Sequence, residues 1–384
     1  MKAVIRGLIV RGNEIVNGSV LMYEGDKIWK IIPRKQFRAG MCTDLIDARN
    51  GFVVPGFINE HIHGCAGADT MDEDDDALAT MQKALPSTGV TSFVPTTMTY
   101  HKERIQTALE RIRRAKRNTG AQILGAHMEG PFISKRYKGS QEAEDILPAD
   151  FSWLAPYADV IKIITLAPEE LKNKTFLKDC ADNGIIVSFG HTAASYETVM
   201  DVISQGGIYH ATHLFNAMLP FAHRQPGIVG AALLSDRIHC ELICDNVHVH
   251  PAAQKLVYKL KGADGIILVT DSLRACLQGD GESELGGHKV FVKNGEARLA
   301  DGTIAASVAP MNEMVLHFLI NSGASLPEVV AMATANPAKD LGVYDRIGSL
   351  DEGKQADFVV LDSEDLHVKQ TVIAGEIAYN EDNQ

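Results

Sequence analysis

The hydrophobic pattern changes character twice along the chain. Residues 1 to about 54 alternate apolar and polar positions in short pieces. Gly-Asn and Gly-Asp turn signals separate them, as in IVRGNEIVNGSVLMYEGDKIWKII. That is the pattern of short strands joined by turns. The far C-terminus reads the same way, ADFVVLD followed by VKQTVIAGEIAYN. Neither end carries enough apolar residues for a core of its own. The two ends are therefore expected to pair as one small, discontinuous β-sandwich over 1–54 and 346–384.

The middle of the chain differs. Strand-like apolar runs recur: VVPGFI, VTSFVPTT, ILGAHMEG, VIKIITLAP, IIVSFGHT, YHATHLFNA, HCELICDN and IILVTDS. Helix-like segments such as DALATMQKALPSTG, KERIQTALERIRRAKR and YETVMDVISQGG lie between them. Alternating strand and helix implies a parallel sheet, and eight such units predict an α/β fold, a (β/α)8 TIM-type barrel over 55–345. An open doubly wound sheet is the alternative, but no GxGxxG follows a first strand, which weakens a dinucleotide-binding version of it. Residues from about 275 to 306 read as extra strands with Gly turns, an insertion placed to act as a lid.

Composition narrows the function classes. The chain has 384 residues, 45% of them apolar, which is enough for a large core. Lys and Arg number 37 against 49 Asp and Glu, giving 37 − 49 = −12. This balance argues against general affinity for nucleic acid or for anionic membrane surfaces, though not against a local anion site. No run has the length of a membrane span, and MKAVIRGLIVRGNE lacks the form of a secretory signal. The acidic run Asp72 to Asp76 suits the solvated start of a helix. Six cysteines, Cys42, Cys65, Cys180, Cys240, Cys244 and Cys276, are scattered without a CxxC pair, so reduced thiols in a cytoplasmic protein are expected.

The candidate chemistry lies at the ends of the apolar runs. His61 and His63 close the first, Glu129 the third, His191 the fifth and Asp271 the eighth; His213 lies near the end of the sixth. In a barrel all these ends converge on one mouth. Alternate residues of a strand share a face, so His61 and His63 point the same way. Imidazole and carboxylate suit zinc, iron and related divalent ions. Such ions lower the pKa of a water toward about 7. Glu129 has two oxygens and is able to bridge two ions. Any one of these residues alone has an ordinary structural reading; six together at five strand ends do not. His127 is either a core histidine or a support for the site, and His210 has no assignment.

These residues lie in longer motifs. GFVVPGFINEHIHG and GSLDEGKQADFVVLD resemble the opening and closing patterns of the amidohydrolase superfamily. HMEGPFIS, GHTAAS, ATHLFNAM, HRQPG, DNVHVHP, LVTDS and GTIAAS, in that order, resemble the N-acetylglucosamine-6-phosphate deacetylases within it. The resemblance covers essentially the whole chain. It implies metal-dependent removal of acetate from N-acetyl-D-glucosamine 6-phosphate, with one or two divalent ions (Zn, Fe, Mn or Co) per subunit. By motif, Glu129, His191 and His213 are the core metal ligands, His61 and His63 ligands of an additional metal, and Asp271 the catalytic acid and base beside it. Ser140, Gln141, Asn216, Ala217, Arg224, His248, Ile304, Ala305 and Ala306 are the implied substrate contacts. Arg224 of HRQPG is expected to reach a neighbouring subunit's phosphate site, which implies a homodimer. The chain departs from the family in having Gln141 where His is frequent, Gln225 in place of Glu and Ala306 in place of Gly. Glu129 occupies the bridging position that a carboxylated lysine fills in cyclic amidases.

Overall fold

A computed structural model describes residues 1–115, 120–172 and 175–383. Eight parallel strands form the centre: β1 (Phe57–Ile62), β2 (Val90–Thr97), β3 (Ala126–Glu129), β4 (Ile161–Leu166), β5 (Ile186–Phe189), β6 (Tyr209–Ala211), β7 (Ile238–Ile243) and β8 (Ile266–Val269). Each pairs with the next in parallel. Between β1 and β8 side chains and single backbone bonds complete the ring. Asn59 Nδ2 donates to Thr270 Oγ1 at 2.7 Å, the Thr270 N–H returns to Asn59 Oδ1 at 3.3 Å, and the Asp271 N–H donates to His61 O at 2.9 Å. The predicted barrel is the observed one.

Helices follow the strands as the pattern predicted: Ala77–Ala84, Lys102–Ala115, Thr175–Asp182, Tyr196–Ile203, Gly227–Leu234, Pro251–Lys261 and Met311–Ser322. The third unit differs. Among the described residues, three short 3-10 turns replace a helix between β3 and β4. The predicted helix segment of residues 102–117 ends at Ala115 as described; 116 and 117 lie outside the described residues. The acidic run only borders its helix. Asp76 precedes Ala77 without a side-chain cap, while Asp72 pairs with Arg274 at 2.7 Å and Asp75 with Arg111 at 3.2 Å.

Two further sheets come from the chain ends. Lys27–Pro33, Ser19–Glu24, Lys2–Ile5 and Asp44–Asp47 form one, in that order. Glu376–Asn380, Val368–Ile373, Phe358–Leu361, Phe52–Pro55, Leu8–Arg11 and Glu14–Val16 form the other. Val4, Leu21, Tyr23, Val53, Phe358 and Val372 are packed into their common core, with the rings of Tyr23 and Phe358 5.3 Å apart. A third sheet, Gly281–Leu285, His288–Lys293, Glu296–Leu299 and Ile304–Ala306, is the β-rich insertion. Among the described residues no helix is long and apolar enough to cross a membrane, and all six cysteines are free.

The run VVPGFI, read as one barrel strand, is divided. Phe52–Pro55 pairs antiparallel with Phe358–Leu361 in the terminal sheet, and β1 begins at Phe57. Gly56 is the junction, and a Cβ there would collide with the side chain of Thr91. Asp357 ties the same junction together, its backbone N–H donating to the Gln355 carbonyl at 2.8 Å. Its backbone oxygen takes the Gly56 N–H at 3.0 Å, and its carboxylate takes the Ala374 N–H at 2.7 Å and the Gln355 amide at 2.9 Å. Burial pushes its carboxyl up to about 6 in spite of these bonds.

Gly56→Ala should lower stability by about 1–3 kcal/mol, the usual cost of overpacking, read from urea unfolding. An Asp357 raised to about 6 against an ordinary 3.8 contributes stability that is whole below about pH 4 and lost as pH rises through 6. Asp357→Asn should therefore flatten the fall in Tm between pH 4 and 7 relative to the parent chain.

Candidate metal and substrate site

The predicted ligands gather at the C-terminal mouth of the barrel. His61 lies in β1, His63 just beyond it, and Glu129 ends β3. His191, His213 and Asp271 each sit two residues past the end of their strand, and all three adopt left-handed backbone, with φ of 49°, 33° and 48°. Few residues other than Gly do so, though His and Asp tolerate it better than most. This conformation turns the chain abruptly off the strand, and such strain concentrates at functional sites.

The side chains converge on Glu129. Its Oε1 is 3.1 Å from His191 Nε2, 3.1 Å from His213 Nε2 and 3.5 Å from His61 Nε2. Its Oε2 is 3.4 Å from His63 Nε2. Asp271 Oδ1 lies 3.4 Å from His61 Nε2 and 3.2 Å from His63 Nε2. All six residues are buried. Burial alone would raise both carboxyls, but the surrounding imidazoles outweigh it: Glu129 is held well below the usual range and Asp271 at about 2. Burial likewise opposes a charge on His213, yet Glu129 raises it to about 9.

The other ring nitrogens explain why the Nε2 atoms face inward. His61 Nδ1 donates to Glu241 Oε2 at 2.8 Å, His63 Nδ1 to the Thr96 carbonyl at 3.2 Å, and His191 Nδ1 to the Tyr137 carbonyl at 3.0 Å. A proton committed to Nδ1 leaves Nε2 bare. The Nε2 atoms of His191 and His213 stand 3.1 Å apart, and His61 Nε2 is buried without a hydrogen-bond partner. Lone pairs aimed at one another and at two carboxylates suit a cation between them, and this N/O donor set fits a divalent ion. The two predicted ligand groups, His61 with His63 and Asp271, and Glu129 with His191 and His213, each bring their donor atoms within 4.8 Å.

A cavity of about 170 Å³ opens on this centre. Of the predicted substrate contacts, Ser140, Gln141, Asn216, Ala217, His248, Ile304 and Ala305 line it. Ala306 does not; it is buried in the core beside Ala297. Arg224 is also away from the cavity, at the exposed tip of a tight turn closed by Ala222 and Gln225. Among the described residues its guanidinium has no hydrogen-bond or ion-pair partner. The inserted sheet contributes Leu285 and Ile304 to the cavity wall.

Several hydrogen bonds refine the expected roles. Gln141 Oε1 accepts the Thr99 N–H at 2.7 Å, and Nε2 donates to Glu129 Oε2 at 2.6 Å. The residue at the family's frequent His position thus anchors the central carboxylate. The Asn216 N–H is committed to His213 O at 3.0 Å, whereas Ala217, in left-handed backbone, leaves its N–H unpaired among the described residues. His248 Nδ1 is tied to Asp245 at 2.6 Å, which fixes the ring at the cavity wall.

Sequence reasoning missed what lies beneath. Glu60 and Glu241, both fully buried, flank His210, which bonds Asp340 at 3.0 Å. His127 bonds the Glu60 carbonyl and Thr165, and burial with the neighbouring charge of His61 pushes it down to about 3. The signal was present: an acid inside an apolar strand, in FINEHI and IHCELI, has no exposed face to occupy.

The amidohydrolase family pattern matches residues 52–378. The chain is 39% identical over 380 residues to the N-acetylglucosamine-6-phosphate deacetylase of Bacillus subtilis, covering 97% of this chain and 95% of that protein. It is 36% identical to the human enzyme of that name, over 98% of this chain and 92% of the other. Among solved structures, the N-acetylglucosamine-6-phosphate deacetylase of Pasteurella multocida superposes with a TM-score of 0.92 at 32% identity, covering 98% and 99% of the two chains. That of Thermotoga maritima gives 0.88 at 36%, covering 99% and 100%. With the family pattern matching residues 52–378 and these full-length likenesses in sequence and fold, the chain belongs to the amidohydrolase family, among the N-acetylglucosamine-6-phosphate deacetylases.

Proposed function

We propose that this chain hydrolyses the acetamide of N-acetyl-D-glucosamine 6-phosphate to D-glucosamine 6-phosphate and acetate, as an enzyme of amino-sugar catabolism in the cytoplasm. The observation that carries the reading is the convergence of four Nε2 atoms and two carboxylates on a small cavity, in a chain related over its full length to enzymes of that name. His61, His63, Glu129, His191, His213 and Asp271 would hold one or two divalent ions. Such an ion supplies Lewis acidity and lowers the pKa of a water toward about 7.

The chain's own groups do the rest. Asp271, kept ionised by His61 and His63, takes a proton from the attacking water. It then gives that proton to the leaving nitrogen, because an amine anion is a poor leaving group. Gln141 fixes Glu129, and His248 contacts the substrate while Asp245 holds its ring. Leu285 and Ile304 of the inserted sheet exclude water from the reacting centre. The phosphate needs a cation and N–H donors. The Ala217 N–H is available within the chain. Arg224, unpaired at an exposed tip among the described residues, would serve the neighbouring subunit of a homodimer.

The direct test is acetate release from N-acetylglucosamine 6-phosphate, compared with the unphosphorylated sugar and with dihydroorotate; only the first should react well. Asp271→Asn should lower kcat by roughly 10²–10⁴ with little change in KM. A near-normal kcat would remove Asp271 from the mechanism. Arg224→Ala should raise KM for the phosphorylated sugar roughly 10- to 100-fold, the scale of one charge-assisted hydrogen bond. Coexpressing Arg224→Ala with Asp271→Asn chains should restore activity if the arginine acts across the interface.

A further inference from the structure

We propose that Glu241 is a positioning residue that makes the His61/His63 half of the centre competent to hold a metal ion of its own. The proposal rests on the reading of the mouth as a metal site able to take two ions. Glu241 lies in β7, fully buried and outside the predicted ligand set. Its Oε2 accepts His61 Nδ1–H at 2.8 Å and the His213 backbone N–H at 3.3 Å.

The bond to His61 settles a competition. Glu129 and Asp271, at 3.5 and 3.4 Å from Nε2, both draw the imidazole proton toward the centre of the site. A proton there would block the nitrogen as a metal donor. Glu241 draws it the other way from a shorter distance, and a carboxylate is a stronger acceptor than a carbonyl. His63 and His191 rely on carbonyls, of Thr96 and Tyr137. His61 is the one predicted histidine ligand held by a charged group behind it. The Glu129, His191 and His213 set shares only the His213 backbone contact with Glu241, so its ion should depend on Glu241 little. Glu241 is itself backed by His210, 3.9 Å from Oε1. His210 in turn lies between Glu60 and Asp340.

The test is zinc stoichiometry of the full chain, by elemental analysis after dialysis against graded chelator. The parent chain should hold two equivalents and His61→Ala one. Glu241→Leu should hold its first equivalent as the parent does and release the second at roughly 10- to 100-fold weaker affinity, the usual cost of losing a support behind a ligand. Glu241→Gln, which keeps an acceptor oxygen, should recover most of that loss. Parent-like binding of both ions in Glu241→Leu, with one lost in His61→Ala, overturns the role of Glu241 alone. Equal stoichiometry in the parent and His61→Ala overturns the two-ion reading and the proposal with it. Should Glu241→Leu not fold, histidine-labelled long-range ¹H–¹⁵N NMR of the zinc-loaded parent decides. His61 should carry its proton on Nδ1, and a proton on Nε2 refutes the proposal.

Discussion

Among the described residues, four carboxylates and six imidazoles share the buried interior of one barrel: Glu60, Glu129, Glu241 and Asp271 with His61, His63, His127, His191, His210 and His213. Each group would be costly to bury alone, because an isolated charge taken from water loses several kcal/mol. Together they offset one another, and the distances of 2.8 to 3.5 Å between Glu129, Asp271, Glu241 and their imidazoles show how closely they are matched. The same matching holds lone pairs toward a common point instead of satisfying them outward. The centre is therefore a structural element and a binding element at once.

The barrel makes this arrangement possible by geometry. Parallel strands deliver all their C-terminal ends to one mouth. Residues two positions past β5, β6 and β8 then turn off the strand in left-handed backbone and bring their side chains inward. The ring closes between β1 and β8 through Asn59, Thr270 and the Asp271 N–H, so Asp271 is positioned by the same bonds that complete the barrel. Leu285 and Ile304 of the inserted sheet line the small cavity at this mouth.

The parts of the site legible in the sequence share one property. His61, His63, Glu129, His191, His213 and Asp271 interrupt or end long apolar runs, so a strand boundary and a candidate ligand coincide. Glu60 and Glu241 also interrupt such runs, but their partners are distant in the chain: Glu241 meets His61 across 180 positions. No local pattern states that pairing. The run VVPGFI was divided for a similar reason. Its apolar content is continuous, and only the collision awaiting a side chain at Gly56 marks where one sheet ends and the next begins.

Sequence by itself determined the eight barrel strands and the residue types that end them at the mouth, because hydrophobic period and residue type are local properties. Tertiary structure alone decided which nitrogen of each histidine faces inward, that Gln141 anchors Glu129, that Arg224 stands outside its own cavity and that Glu241 backs His61. Those outcomes depend on distances between elements far apart in the chain, and a proton's place on an imidazole depends on which acceptor lies nearer.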